Sequence, residues 1–116
     1  MNFRIDEPEN LEISQHVCEI RGWCTMPPLE PQRLRFEIGG IPAPFTQMRR
    51  PDAEAAYPGQ RVRGFVLHVD LAYYMRAIRG SALQLKIIAG EDGEADVRFQ
   101  ISRAALGSCM AAACGL

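Results

Sequence analysis

Apolar and polar residues take turns along most of this chain, in short blocks separated by glycine and proline, and this habit limits the fold more than any other feature. Side chains at successive positions of an extended strand point to opposite faces, so each block reads as a strand with one dry face. Several such blocks with turn signals between them predict an all-β, two-sheet antiparallel sandwich of about seven strands. Helix is expected only in one or two short crossovers.

Phe3 to Ile5 reads as a first edge strand, ended by the acidic stretch that runs to Pro8. From His16 to Cys24 the positions Cys18, Ile20, Gly22 and Cys24 are small or apolar, whereas Glu19 and Arg21 face the other way. Trp23 falls on the polar side of that strand unless a bulge at Gly22 swaps the faces, and the pattern leaves both directions open. The run from Met26 to Pro31 holds three prolines and predicts a loop. Leu34, Phe36 and Ile38 then alternate with charged residues before Gly39-Gly40, a pair suited to the positive φ angles of a two-residue hairpin. Ile41 to Phe45 is the expected return strand, marked as an edge by Pro42 and Pro44.

Pro51 to Tyr57 predicts a short helix bridging the sheets, with proline in its first turn and acids near its positive end. Phe65, Leu67 and Val69 mark the next strand, and Asp70 a helix cap. Leu71, Tyr74, Met75 and Ile78 recur at helical spacing as a second crossover. Leu83, Leu85 and Ile87, a turn at Glu91 to Glu94, and Val97, Phe99 and Ile101 make the clearest hairpin. Beyond Arg103 no period is visible. The expected organisation is therefore one domain over residues 1–103 and a tail over 104–116, helical or loose.

A chain of 116 residues fits one core. Thirteen basic and fourteen acidic side chains leave a net charge of -1, without the positive field that nucleic-acid binding uses. The first ten residues lack the apolar run of a secretory leader, and no stretch reaches membrane-spanning length, so the expectation is a cytoplasmic location and no membrane span.

Cys18 and Cys24 lie in one predicted strand, roughly 20 Å apart at the rise of a β-strand, which is too far for a disulfide. Cys109 and Cys114 sit in the tail, and the cysteines are expected to be free thiols. His16 and Cys18 share a strand face, yet two ligands do not make a zinc site and no second cluster supplies the others. No glycine-rich phosphate loop is present. The expectation is no catalytic residue, no cofactor and no metal.

One segment stands apart: Arg49-Arg50-Pro51-Asp52, then Tyr57-Pro58-Gly59, then Gly64-Phe65. Its arginine and aspartate at a helix start can pair and pin a crossover, or face a partner or an anionic ligand. Together with Gly22-Trp23, the Leu34 to Ile38 hairpin strand with its Gly-Gly turn, and the strand Leu83 to Ala89 with its closing hairpin, this segment resembles a bacterial accessory domain found beside glycosyltransferases and, less often, methyltransferases. The resemblance spans about Leu11 to Ile101 and rests on turn and core residues. It implies an immunoglobulin-like sandwich whose chemistry belongs to a neighbouring catalytic domain or protein, and it carries over no catalytic residue. No catalytic domain lies within the 116 residues, which leaves a shortened chain, a split gene or a stand-alone module as alternatives.

The leading expectation is a non-catalytic binding or docking module that contacts glycan or a partner protein through Trp23, Arg49, Arg50, Asp52 and Tyr57. A rival is a small metal or thiol enzyme using His16, Cys18 and a tail cysteine. A third is a structural spacer that self-associates as a homodimer through an edge strand such as Val97 to Ile101.

Overall fold

A computed structural model of the chain describes residues 1–26, 33–90 and 93–114. Its strands are β1 (Phe3–Glu7), β2 (Glu12–Ile13), β3 (Val17–Met26), β4 (Leu34–Ile38), β5 (Ile41–Pro42), β6 (Thr46–Met48), β7 (Arg61–Asp70), β8 (Ala82–Ala89) and β9 (Gly93–Ile101). Helix α1 (Pro51–Ala56) joins β6 to β7, and α2 (Arg103–Ala113) follows β9. One sheet has the order β1-β3-β7-β6 and the other β2-β9-β8-β4-β5.

The two-sheet, all-β sandwich expected from the alternation is what the chain forms, because the apolar member of each alternating pair turns to one shared interior. Ile20, Phe65, Leu67 and Val69 of the first sheet meet Phe36, Leu85, Ile87 and Phe99 of the second, all at most 2% exposed. Phe36 joins the layers: its ring centroid lies 4.6 Å from that of Phe65 and 4.9 Å from that of Phe45. Aromatic pairs at that spacing add to area burial.

Two strands beyond the expected seven are described, and both are short. β2 has two residues, too few to alternate, and β6 has three exposed ones. β2 also runs parallel to β9, so the second sheet is not purely antiparallel. The chain reaches β2 through a turn in which Leu11 N–H donates to Pro8 O at 3.0 Å, carrying it from an edge of one sheet to an edge of the other.

Three further expectations are corrected. The return strand after Gly39-Gly40 stops at Pro42: Ala43 N–H donates to Phe36 O at 2.9 Å, and Pro44 has no N–H to extend the ladder. The chain then crosses over as β6. Helix α1 does not bridge the sheets; it connects β6 and β7, neighbours in one sheet. The segment after Asp70 forms turns and a 3-10 turn at Met75–Ala77 instead of an α-helix, with Asp70 Oδ1 accepting from Ala72 N–H at 3.0 Å. It does cross between sheets, from β7 to β8.

The β8–β9 hairpin holds its register from Ala82–Gln100 to Ala89–Gly93, so Gly93 and Glu94, expected in the turn, belong to the strand. Glu91 and Asp92 lie outside the described residues, as do Pro27 to Pro31 of the expected proline loop, whose first residue, Met26, ends β3. The tail folds as α2 over most of its length. Ser102 Oγ accepts from Ala105 N–H at 3.1 Å as its cap, and Ala105 and Cys109, one turn apart, enter the core.

Candidate functional site

The β3–β7 ladder runs without a break from Val17–Asp70 to Met26–Arg61. With no bulge at Gly22, Trp23 stays on the outer face, opposite the core residues Ile20 and Cys24. The registers align Arg4 of β1, Trp23 of β3, Gly64 of β7 and Met48 of β6 in one row across the sheet.

Glycine at position 64 makes this row possible. A Cβ there would lie 2.5 Å from Met48 O and 2.6 Å from Arg50 Cγ, so only a bare backbone lets the chain leaving β6 press onto the sheet. The Arg50 guanidinium then reaches two carboxylates. Its Nη2 is 3.0 Å from Asp52 Oδ2, its Nε 3.2 Å from Asp52 Oδ1, and Nη1 pairs with Asp6 Oδ2 on β1. Arg4 Nε lies 3.6 Å from the other Asp6 oxygen. Hydrogen bonds to Asp52, then to Asp6, raise the Arg50 pKa, and the same bond holds the Asp52 carboxyl below its usual value. The arginine and the aspartate at the helix start do pair, and Arg50 also pins the entry of α1 to β1.

Helix α1 buries only Ala53 and delivers Tyr57 at its end. The Tyr57 ring stands 5.4 Å from Trp23, tilted by 51°, and both are half-buried. Arg49, on the rim, pairs with Glu54 at 3.2 Å. An open groove lies beside it where β6 ends, lined by Gln47, Arg49, Glu54, Arg61 and Arg63.

Trp23, Arg49, Arg50, Asp52 and Tyr57 are thus gathered at one end of one outer face, though they span 34 positions of sequence. Sequence reasoning named Gly64 within the unusual segment but missed Asp6, Glu54 and Met48, which join the site through ion pairs and strand pairing. Asp6 stands 44 positions from Arg50, with no local pattern linking the two.

The alternative chemistry is scattered. His68 faces outward, with Nδ1 3.5 Å from Glu19 Oε1. All four cysteines are free. Burial pushes the Cys24 thiol up to about 11, a rise that nearby Arg63 partly offsets. Burial, then Glu19, raises Cys18; burial, then Asp70, raises Cys109. Thiols shifted in this direction are poor nucleophiles at neutral pH. Among the described residues no three His, Cys, Asp or Glu side chains gather as metal ligands would, and no helix is long and apolar enough to cross a membrane.

No family model matches this chain, and no curated protein is significantly similar to it.

Proposed function

We propose that this domain is a non-catalytic, immunoglobulin-like accessory module that binds glycan, or docks a glycosyltransferase-type enzyme, through the outer face carrying Trp23 and Tyr57. The observation that carries the reading is the convergence on that face of a half-exposed aromatic pair, a rim arginine and a guanidinium locked between two carboxylates. Aromatic rings with one dry side and one wet side suit contacts that bury apolar surface and keep polar groups satisfied. The Arg50 pairs hold α1, and with it Tyr57, in place before any ligand arrives, which lowers the ordering cost of binding.

The strand order supports the immunoglobulin-like part. With letters assigned along the chain, the spatial order β1-β3-β7-β6 corresponds to strands A, B, E and D, and β9-β8-β4 to G, F and C, with β5 beside C. The interior differs from antibody domains, since Phe36 stands on the strand where they carry tryptophan and the cysteines are unbridged. Chemistry in this reading belongs to the catalytic partner.

Calorimetric titration of the purified chain with neutral and acidic oligosaccharides, and with the catalytic proteins encoded next to its gene, tests the proposal. Saturable heat that Trp23→Ala abolishes, with the far-ultraviolet spectrum of the variant unchanged, is the expected result. Absence of heat with every saccharide and every neighbouring protein removes the reading.

A further inference from the structure

The second sheet ends in an unfinished edge. β2 covers β9 only at Gln100 and Ile101, so Gly93 to Phe99 have no strand beside them on that side among the described residues. Gln100 N–H donates away from β8, to Leu11 O at 2.9 Å, whereas Ile101 N–H donates toward it, to Ser81 O at 2.7 Å. Alternation along the strand therefore aims the backbone N–H and C=O groups of Glu94, Asp96 and Arg98 into the open side. The other edges are blunted: β5 contains Pro42, β6 has three residues, and the pairing of β1 shifts between Ile5 and Glu7. β9 has neither proline nor bulge, and such an edge is a template for another strand.

We infer that this edge docks a second copy of the chain, β9 against β9 and antiparallel, about a two-fold axis at Asp96. The occupant and the register follow from the faces, the available space and the charges. Opposed residues of an antiparallel pair point to the same side, so Val97 and Phe99, 5% and 0% exposed, remain on the dry face of both copies only if the axis passes through a residue position. With the axis at Asp96, Gly93 meets Phe99 of the second copy and the whole open segment is used. An axis at Val97 drives Glu94 of the second copy into the place beside Gln100 that Leu11 and β2 already fill. An axis at Ala95 sets Glu94 opposite Asp96 twice, like charge against like.

At the Asp96 axis, Glu94 of each copy faces Arg98 of the other on the exposed face, which gives two cross-strand pairs of opposite charge. Within its own chain Arg98 makes no salt bridge among the described residues. The unfavourable contact is Asp96 with its own copy. The dimer joins the two second sheets edge to edge and leaves the Trp23 face, on the other sheet, uncovered, so it goes beyond the proposed function and does not depend on it.

Sedimentation equilibrium of the full chain from about 10 μM to about 1 mM, the range in which a small interface is half-formed, reads the association. Arg98→Glu turns both cross-strand pairs into like charges and is expected to weaken the dimer at least about tenfold. Combining it with Glu94→Arg is expected to restore the dimer. Asp96→Asn is expected to tighten it about two- to fivefold by removing the repulsion on the axis. All three positions are exposed, and the melting transition of each variant checks that it folds. Monomer throughout the range, or a dimer indifferent to Arg98→Glu, overturns the inference; weakening by Asp96→Asn overturns the register.

Discussion

Trp23 and Gly64 stand directly opposite each other in the β3–β7 ladder, and one step along the same strands Phe65 stands opposite Gly22. The dipeptides Gly22-Trp23 and Gly64-Phe65 thus set one aromatic against one glycine on each face of the sheet. On the dry face Phe65 Cζ comes to 3.0 Å from where a Gly22 Cβ would sit. On the wet face the bare Gly64 admits Met48 and Arg50 beside Trp23. Core packing and the candidate site therefore share two consecutive rungs of the ladder.

Alanine at either glycine is expected to destabilise the domain by about 1 to 3 kcal/mol, the usual cost of overpacking. At Gly64 the added methyl meets Met48 O, and at Gly22 it meets Arg4 O, so backbone must move in both variants. Denaturant melts measure the loss. Gly64→Ala should in addition increase the mobility of Tyr57 in relaxation measurements, whereas Gly22→Ala should loosen β1.

Replacing Arg50 by alanine is expected to cost about 1 kcal/mol, because Asp6 and Asp52 lose their common partner at a site only a quarter exposed. Asp52→Asn should cost less, since that side chain is largely in water. The pH dependence has a definite sign. The folded-state pKa of Asp52 is lowered by its hydrogen bond to Arg50, so its contribution is present above the ordinary aspartate value and is lost as pH falls through the lowered one. Acid melting curves of the wild type should therefore fall more steeply than those of Asp52→Asn.

The strands that carry the core were legible because each alternates long enough to show a period: Leu34 to Ile38, Phe65 to Val69, Leu83 to Ile87 and Val97 to Ile101. What escaped the sequence was decided by register or by long-range contact. Trp23 could face either way until the unbroken pairing of Gly22 with Phe65 excluded a bulge. β2 and β6 are too short to show a pattern. Helix α1 gave its limits through Pro51 and its first-turn acids, but its place depends on which strand β6 joins, a question of pairing alone. The site residues Trp23, Arg50 and Tyr57 were nameable as unusual; their partner Asp6 was not, because an acid in a first strand carries no sign of an arginine 44 positions away.

Phe36→Ala should be among the most damaging single changes, at about 3 to 5 kcal/mol, since that ring touches both Phe65 and Phe45 and is 2% exposed. Phe45→Ala, at a half-buried position, should cost less. A chemical melt comparing the two variants checks the order.

The thiols should react in order of exposure. Cys114 is exposed and is expected to take up an alkylating reagent first, while buried Cys24 and Cys109 wait for unfolding. Keeping the Cys24 thiol neutral stabilises the fold below its ordinary pKa of 9.0, and that contribution is lost as pH rises toward about 11. Cys24→Ala should flatten the alkaline limb of the stability curve. Mass spectrometry of timed alkylation and melts across that window test both statements.

Trp23 is the only tryptophan in the chain, so its fluorescence reports the proposed binding face without interference. Any oligosaccharide or neighbouring catalytic protein that binds the domain is expected to shift the Trp23 emission saturably, with a weaker response in Tyr57→Ala. A ligand that gives saturable heat in the calorimeter yet leaves the Trp23 emission unchanged would place binding elsewhere and contradict the account.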